Sequence, residues 1–364
     1  MAFGDYFRGR RVLVTGHTGF KGAWLSLWLS HLGAEVHGLA LPPEAGLYAF
    51  IRDNTFARES FRDLRERASV RAAIGESRPS LIFHLAAQAI VQASYRDPVG
   101  TFGTNALGTV HLLDAVRELE LSCDVVIITS DKCYENSEWP YAYRENDRLG
   151  GDDVYSMSKA AAELVAAAWY RSFFLTNAKL GHVVTARGGN VIGGGDFAEH
   201  RILPDCARAL AAGRKIEVRN PSALRPWQHV LDCLSGYLWL ATRIAGEGKQ
   251  SPLVSPFNFG PTPHDFRSVR ELVEEFLRHW QGEWTSVAET FEGREAGRLR
   301  LAIDKATELL DWQPTWSFAE AVRQSARWYR AHAASIAPMR ELTLHQIAEF
   351  EHDAVNGGLT WAAS

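Results

Sequence analysis

Short apolar runs hand over to amphipathic stretches again and again through the first half of this chain, and that alternation limits its fold more than any other feature. RVLVTG (11–16) reads as a buried strand, and AWLSLWLSHLG (23–33) as a helix closed by Gly33. EVHGLAL (35–41) is a second strand; LIFHLAA (81–87), DVVIITS (124–130) and HVVTARGGN (182–190) are further ones. GTVHLLDAVREL (108–119) and VYSMSKAAAELVAAAWYRSFF (154–174) read as helices between them. Strands that alternate with helices are joined by crossovers and so lie parallel, in a sheet covered on both faces. The fold class expected is α/β, a doubly wound parallel sheet.

The second half is less regular. Prolines at 204, 221, 226, 252, 256, 261 and 263 cut it into short pieces, with helices expected over ELVEEFLRHW (271–280) and FAEAVRQSARWYRAH (318–332). A smaller mixed α/β domain is expected after about residue 188, and the stretch beyond about 340 has no assignment. The 364 residues suit one large domain or two moderate ones, and 46% hydrophobic with 23% charged residues is a balance that packs a core. A formal charge of −4 makes no electrostatic case for nucleic acid. No apolar run approaches the roughly 20 residues of a membrane span, and MAFGDYFRGRR lacks the apolar stretch of a secretory signal. Cys123, Cys133, Cys206 and Cys233 have no CxxC spacing and do not cluster with histidines. Reduced thiols in a cytoplasmic protein, and no metal site, are the expectation.

TGHTGFKG (15–22) places Gly16, Gly19 and Gly22 where a strand passes to a helix. Glycines there allow a tight turn and a close backbone approach to a pyrophosphate at the helix N-terminus. They could equally serve packing alone, but strand before and helix after favour a dinucleotide. The acid that usually follows the second strand is missing; EVHGLALPPEAG offers only Glu44, and no arginine stands in 38–46 to meet a 2′-phosphate. NAD is the cofactor expected. FRDLRE (61–66) is either a charged helix start or a way of placing Asp63 against the adenine.

In YSMSK (155–159), Tyr155 and Lys159 are spaced to share one helical face. An ammonium beside a phenol stabilises the phenolate, lowering its pKa from about 10 toward neutrality. Such a tyrosine can take a proton from a sugar hydroxyl while hydride leaves the carbon. A second stretch, ITSDKCYEN (128–136), ends an apolar run in an acid and an amine, Asp131 and Lys132. Strand ends often carry charges because they reach the surface; here the pair could instead be acid–base equipment.

With HLAAQ (84–88) and RGGNVIGGGD (187–196), these stretches make the chain resemble the extended short-chain dehydrogenase/reductase family, from about residue 10 to about 330. Within it, TSDKCYEN, RGGNVIGGGDFAEHRILPD and NPSALRPWQHVLD (220–232) are similar to the group of dehydratases that act on CDP-glucose. The resemblance implies a Rossmann-type NAD domain over 1–187 with a return segment near 229–257. A nucleotide-sugar domain would cover 188–228 and 258–340, leaving 341–364 as a tail. NAD would be held by Gly16, Thr18, Gly19, Phe20, Lys21 and Gly22, by Asp63 and Leu64, by Leu85, Ala86, Ala87 and Gln88, and by Tyr155 and Lys159. The nucleotide sugar would meet Asn190, Arg201, Arg225, His229 and Asn258. A homodimer through helices near 104–118 and 154–173 is implied as well.

A 4,6-dehydratase oxidises C4, eliminates water across C5 and C6, and returns the hydride to C6. The C4 ketone acidifies the C5 proton, after which elimination needs a base at C5 and an acid at the C6 hydroxyl. By resemblance Asp131 is that acid, and Ser130 hydrogen-bonds the C4 oxygen with Tyr155. Lys132 is either a neutral base or a charged stabiliser of the enolate. The rival readings are a nucleotide-sugar 4-epimerase or another dehydratase of this fold, which would not need the same acid–amine pair, and an NAD-binding regulatory module without chemistry, which commonly lacks the tyrosine or the lysine.

Overall fold

The alternating pattern builds a seven-stranded sheet, all of whose strands run parallel. The computed structural model describes residues 2–43, 46–262, 265–288 and 298–363, so Glu44 lies outside the described residues. In chain order the strands are β1 (Arg11–Thr15), β2 (Glu35–Ala40), β3 (Arg58–Phe61), β4 (Leu81–His84), β5 (Asp124–Ile128), β6 (Val183–Gly188), β7 (Val191–Ile192), β8 (Ile216–Val218), β9 (Leu224–Pro226), β10 (Gln228–His229), β11 (Phe257–Phe259), β12 (Phe266–Ser268) and β13 (Trp284–Ser286). The large sheet has the order β11-β6-β5-β4-β1-β2-β3. Its order reverses between β1 and β4, and the crevice beyond the carboxyl ends of such a pair is where α/β sheets bind ligands.

The helices are α1 (Phe20–His31), α2 (Tyr48–Ile51), α3 (Arg67–Ser77), α4 (Val91–Arg96), α5 (Pro98–Phe102), α6 (Gly108–Glu118), α7 (Val154–Trp169), α8 (Ile202–Ala211), α9 (Val230–Ile244), α10 (Val269–His279), α11 (Asp304–Leu310), α12 (Phe318–Ala334), α13 (Met339–Asn356) and α14 (Thr360–Ala363). Alternate side chains of one strand serve opposite faces of the sheet. Val12 and Val14 join the core with α1 and α9, while Leu13 joins the core with α3 and α6. Val126 and Ile128 on β5 divide from Val125 and Ile127 in the same way. Three small two-stranded pairings, β7 with β10, β8 with β13 and β9 with β12, frame the irregular half.

Several elements depart from the sequence pattern. β3, RESF, has no apolar alternation and owes its place to pairing with β2, where Ala40 faces Phe61. β11 returns the chain to the sheet beside β6, so Asn258 is a residue of the large sheet. The helix expected to run to 174 finishes in a π turn, Tyr170–Phe174. Residues beyond 340, left without assignment, continue α13, whose buried stripe of Met339, Thr343, Gln346, Ile347, Phe350 and Ala354 recurs at helical spacing. Two polar residues in that stripe hide its periodicity from a reading of apolar positions.

Candidate active site

The turn between β1 and α1 admits no side chain at two of its glycines. Gly16 has φ +73°, in the left-handed region, and a Cβ there would stand 2.8 Å from the backbone of Ala86. A Cβ on Gly22 would stand 2.0 Å from the Gly16 carbonyl oxygen. Gly19 holds the N-cap position of α1 and offers no side chain to its first-turn amides. Those amides, which a helix leaves unpaired, are free to meet an anion.

From this turn a cavity of about 580 Å³ crosses the carboxyl ends of the strands to Arg219, Asn220 and Trp227. Its wall contains Gly16, Thr18, Gly19, Phe20, Lys21, Gly22, Asp63, Leu64, Leu85, Ala86 and Ala87. At the position after β2 the wall presents Leu41, not a carboxylate. Asp63 is gripped by the Arg65 guanidinium at 2.6 Å and accepts the Arg65 backbone amide at 2.9 Å, and these hydrogen bonds hold its carboxyl below the usual range. Gln88, in contrast, is not in the wall: it braces the loop behind, donating to Thr101 Oγ1 at 3.0 Å while its oxygen accepts the Ile90 amide. Ile90, Val91 and Gln92 line the cavity in its stead, a consequence of the loop's bend after β4 that no residue type announces.

Ser130, Asp131, Lys132, Tyr155 and Lys159 all meet in the same wall. The chain leaves β5 and bends at once into a 3-10 turn, Asp131–Cys133, with Ser130 Oγ accepting the Lys132 amide at 3.2 Å. That bend overrides the opposite-facing rule for neighbours on an extended strand. Asp131 is buried; its Oδ1 accepts from Ser130 Oγ at 2.9 Å, and among the described residues its Oδ2 has no hydrogen-bond partner. Burial raises its pKa against the opposing pull of Lys132, Ser130 and Arg225, so desolvation outweighs the neighbouring charge.

Tyr155 and Lys159 project from α7, whose N-cap Asp153 accepts the Ser156 amide at 2.9 Å. The Tyr155 phenol is pushed up to about 12 by burial, with the Ser130 hydroxyl and the Arg201 charge pulling the other way. This reverses the lowered phenol expected from the spacing, because desolvation of a phenolate in this wall exceeds what its neighbours return. Lys159 is pulled down to about 8, first by burial and then by Lys21, and its Nζ donates to the Ile128 carbonyl at 3.3 Å.

At the far end Asn190, Arg201 and Arg225 line the cavity, and Arg201 is tied to Asp196 at 2.9 Å. Two expected contacts are elsewhere. His229 is fully buried between Trp24 and Trp316, with ring centroids 5.9 and 4.7 Å away, and its Nδ1 accepts the Leu231 amide. Burial holds that ring neutral, its pKa lowered to about 3. Asn258 is fully buried too, donating to the Tyr143 and Ala302 carbonyls and accepting from Tyr134 Oη at 2.7 Å. Both are packing residues where direct substrate contacts were expected. The reading missed Glu217, Val218, Arg219 and Asn220, which reach the wall from β8 and the residues after it. A three-residue strand leaves no periodicity to find, although Asn220 opens the NPSALRPWQHV stretch.

The family described as GDP-mannose 4,6 dehydratase matches residues 13–325. The chain is 42% identical over 334 residues to CDP-glucose 4,6-dehydratase of Salmonella typhimurium, covering 90% of this chain and 92% of that protein. A solved epimerase of Methanothermobacter thermautotrophicus superposes with a TM-score of 0.78 at 22% identity, over 91% of this chain and 95% of the other. The dTDP-glucose 4,6-dehydratase of Bacillus anthracis, solved in complex with NAD, superposes with a TM-score of 0.72 at 19% identity, over 89% and 97%.

Proposed function

This chain belongs to the GDP-mannose 4,6-dehydratase family within the extended short-chain dehydrogenase/reductases, and from that membership we propose that it is an NAD-dependent CDP-glucose 4,6-dehydratase. It converts CDP-D-glucose to CDP-4-keto-6-deoxy-D-glucose and water. The nucleotide follows the relative at 42% identity. The observation that carries the chemistry is the meeting of Asp131 and Lys132 with Ser130 and Tyr155 in one cavity wall, with a buried Asp131 oxygen left unbonded by the described residues. The side-chain-free cradle of Gly16 and Gly22 and the uncapped start of α1 fit a dinucleotide's pyrophosphate. When bound, NAD supplies the acceptor for the hydride leaving C4 and the donor for the hydride reaching C6.

The chain's own residues handle the protons. Tyr155, ionised to its phenolate beside the Lys159 ammonium and against the pull of burial, takes the proton of the C4 hydroxyl, and Ser130 hydrogen-bonds the oxygen left behind. Lys159, on the same face of α7, supplies an ammonium beside that phenol as long as the pH stays below its value of about 8. Asp131, whose hold on a proton is strengthened by burial, is the acid that gives a proton to the departing C6 hydroxyl. Lys132 serves the C5 carbon, as base or as a charge beside the enolate. Asn190, Arg201 and Arg225 meet the diphosphate, and arginine's planar fork suits two oxygens at once.

The protein works as a homodimer. Val99 and Phe102 on α5, Leu107 in the π turn that follows, and Met157 and Leu164 on α7 stand exposed on adjoining elements, an apolar face suited to a second copy. No helix among the described residues is long and apolar enough to cross a membrane, and all four cysteines are buried free thiols, in keeping with a reducing cytoplasm. Proton NMR of the protein with added NAD and CDP-, UDP- or dTDP-glucose tests the reading. A new C6 methyl doublet from CDP-glucose alone supports it; a doublet from another sugar moves the nucleotide; an epimer with no methyl signal overturns the dehydratase.

A further inference from the structure

None of these steps uses Glu163, yet its carboxylate is buried directly behind them. Tyr155, Lys159 and Glu163 follow one another at four-residue spacing along one face of α7. Glu163 Oε1 accepts a hydrogen bond from Thr129 Oγ1, and Thr129 is the residue that delivers the chain to Ser130 and Asp131. Its Oε2 accepts from Thr185 Oγ1 at 2.7 Å and from Arg187 Nη2 at 2.8 Å, both on β6. β6 in turn leads into Gly188, Gly189 and Asn190 in the cavity wall. Arg187 extends the network by donating to Tyr134 Oη at 2.7 Å and to the Glu145 carbonyl at 3.0 Å.

Both members of the Glu163–Arg187 pair are 2% exposed. A buried ion pair gains little stability over well-packed apolar side chains, so stability alone does not account for it. What the pair does is join the helix of the phenol and the ammonium to the two strand ends that present the acid and the diphosphate contact. We infer that Glu163 is a positioning residue of the active site, setting Ser130 and Asp131 against Tyr155 and Lys159 through Thr129. The inference rests on the dehydratase reading for its catalytic consequence.

A second consequence concerns charge. Lys159 is faced by Lys21 from α1, His84 from β4, the Cys133 thiol from the turn after β5, and Glu163 on its own helix. Burial and Lys21 favour the neutral amine, while Glu163 is the first of the groups that favour the ammonium. Glu163 itself is balanced by Arg187 from β6.

Two variants separate the roles. Thr129→Val removes the hydrogen bond and keeps the charge; Glu163→Gln keeps the shape and removes the charge. For Thr129→Val, methyl formation from CDP-glucose falls tenfold or more at unchanged KM, on the order expected for slight misplacement of an acid. For Glu163→Gln, the Lys159 midpoint drops by about one unit, and the alkaline limb of kcat/KM moves down with it. The midpoint is read without substrate, by NMR of lysine labelled at Cε and assigned against Lys159→Met. If Glu163→Gln does not fold because Arg187 is left unpaired, Glu163→Gln with Arg187→Met replaces it. A merely structural Glu163 would lower the melting temperature and leave the Lys159 midpoint in place, which would overturn the charge role. A Thr129→Val protein that turns over like its parent would overturn the positioning role. A parent that forms no methyl product from any sugar defeats the dehydratase reading instead, and the Lys159 titration still decides the charge role.

Discussion

Burial, more than its neighbour, sets how tightly Asp131 holds a proton. A charged Lys132 alone would hold the carboxyl low, but desolvation in the cavity wall pushes it up. The same force acts on Tyr155 and Lys159 in opposite senses, raising the phenol and lowering the amine, because each is driven toward its neutral form. The division of labour makes the variants distinguishable. Asp131→Asn keeps the hydrogen bonding but loses the transferable proton, so oxidation at C4 proceeds and methyl formation falls by about 10²–10⁴-fold. Lys132→Ala likewise oxidises C4 once and stalls. Rapid-mixing absorbance at 340 nm with NMR of the product checks both: reduced cofactor should accumulate without a methyl signal. Normal turnover by Lys132→Ala would mean another group serves C5. The residue identities here were legible from the motifs. The direction of the Tyr155 shift was not, since burial belongs to the surroundings and not to the YSMSK spacing.

The elements that carry the site are those whose signals are local. β1 is a run of buried apolar residues, the turn after it is marked by glycines, and α1 is apolar on nearly every side because it lies between the sheet and the C-terminal helix α13. Gly22 shows how little freedom that junction has, with the Gly16 carbonyl oxygen 2.0 Å from where a Cβ would stand. Gly22→Ala must therefore shift the start of α1 away from the turn. We expect NAD affinity to fall tenfold or more, about 1.4 kcal/mol, in calorimetric titration, with the far-ultraviolet circular dichroism unchanged. Unaltered affinity would mean that the pyrophosphate is held elsewhere. Among the strands that escaped the sequence reading, β3, β8 and β11 are three or four residues long. Such strands exist by pairing with a neighbour already in place, and no pattern of their own records it.

At the scale of the whole molecule, the two ends of the chain close on each other. Phe3 stacks on Trp361 at 5.0 Å between ring centroids, Trp361 stacks on Phe350 at 5.6 Å, and Trp28 of α1 donates to Glu351 at 2.7 Å. The C-terminal segment is thereby part of the core around α1 and not a loose tail. The opposite side, with Met157 and Leu164 one heptad apart on α7, is the face expected to meet a second copy. Sedimentation equilibrium should give twice the 40.5 kDa of the chain, and Leu164→Glu, at an exposed position, should give the single mass while keeping its melting temperature. A monomeric parent would remove the dimer. By itself the sequence determined the parallel α/β layers and the glycine turn, and it singled out Ser130, Asp131, Lys132, Tyr155 and Lys159 as candidates that share one cavity wall, because periodicity and short motifs are properties of neighbouring residues. Only the tertiary structure decided that Asn258 and His229 are packing residues, that Gln88 braces a loop, and that Arg219 and Asn220 reach the cavity. Each of those outcomes depends on which distant segment lies against the side chain, and that is settled when the sheet, the returning strand β11 and the C-terminal helices pack together.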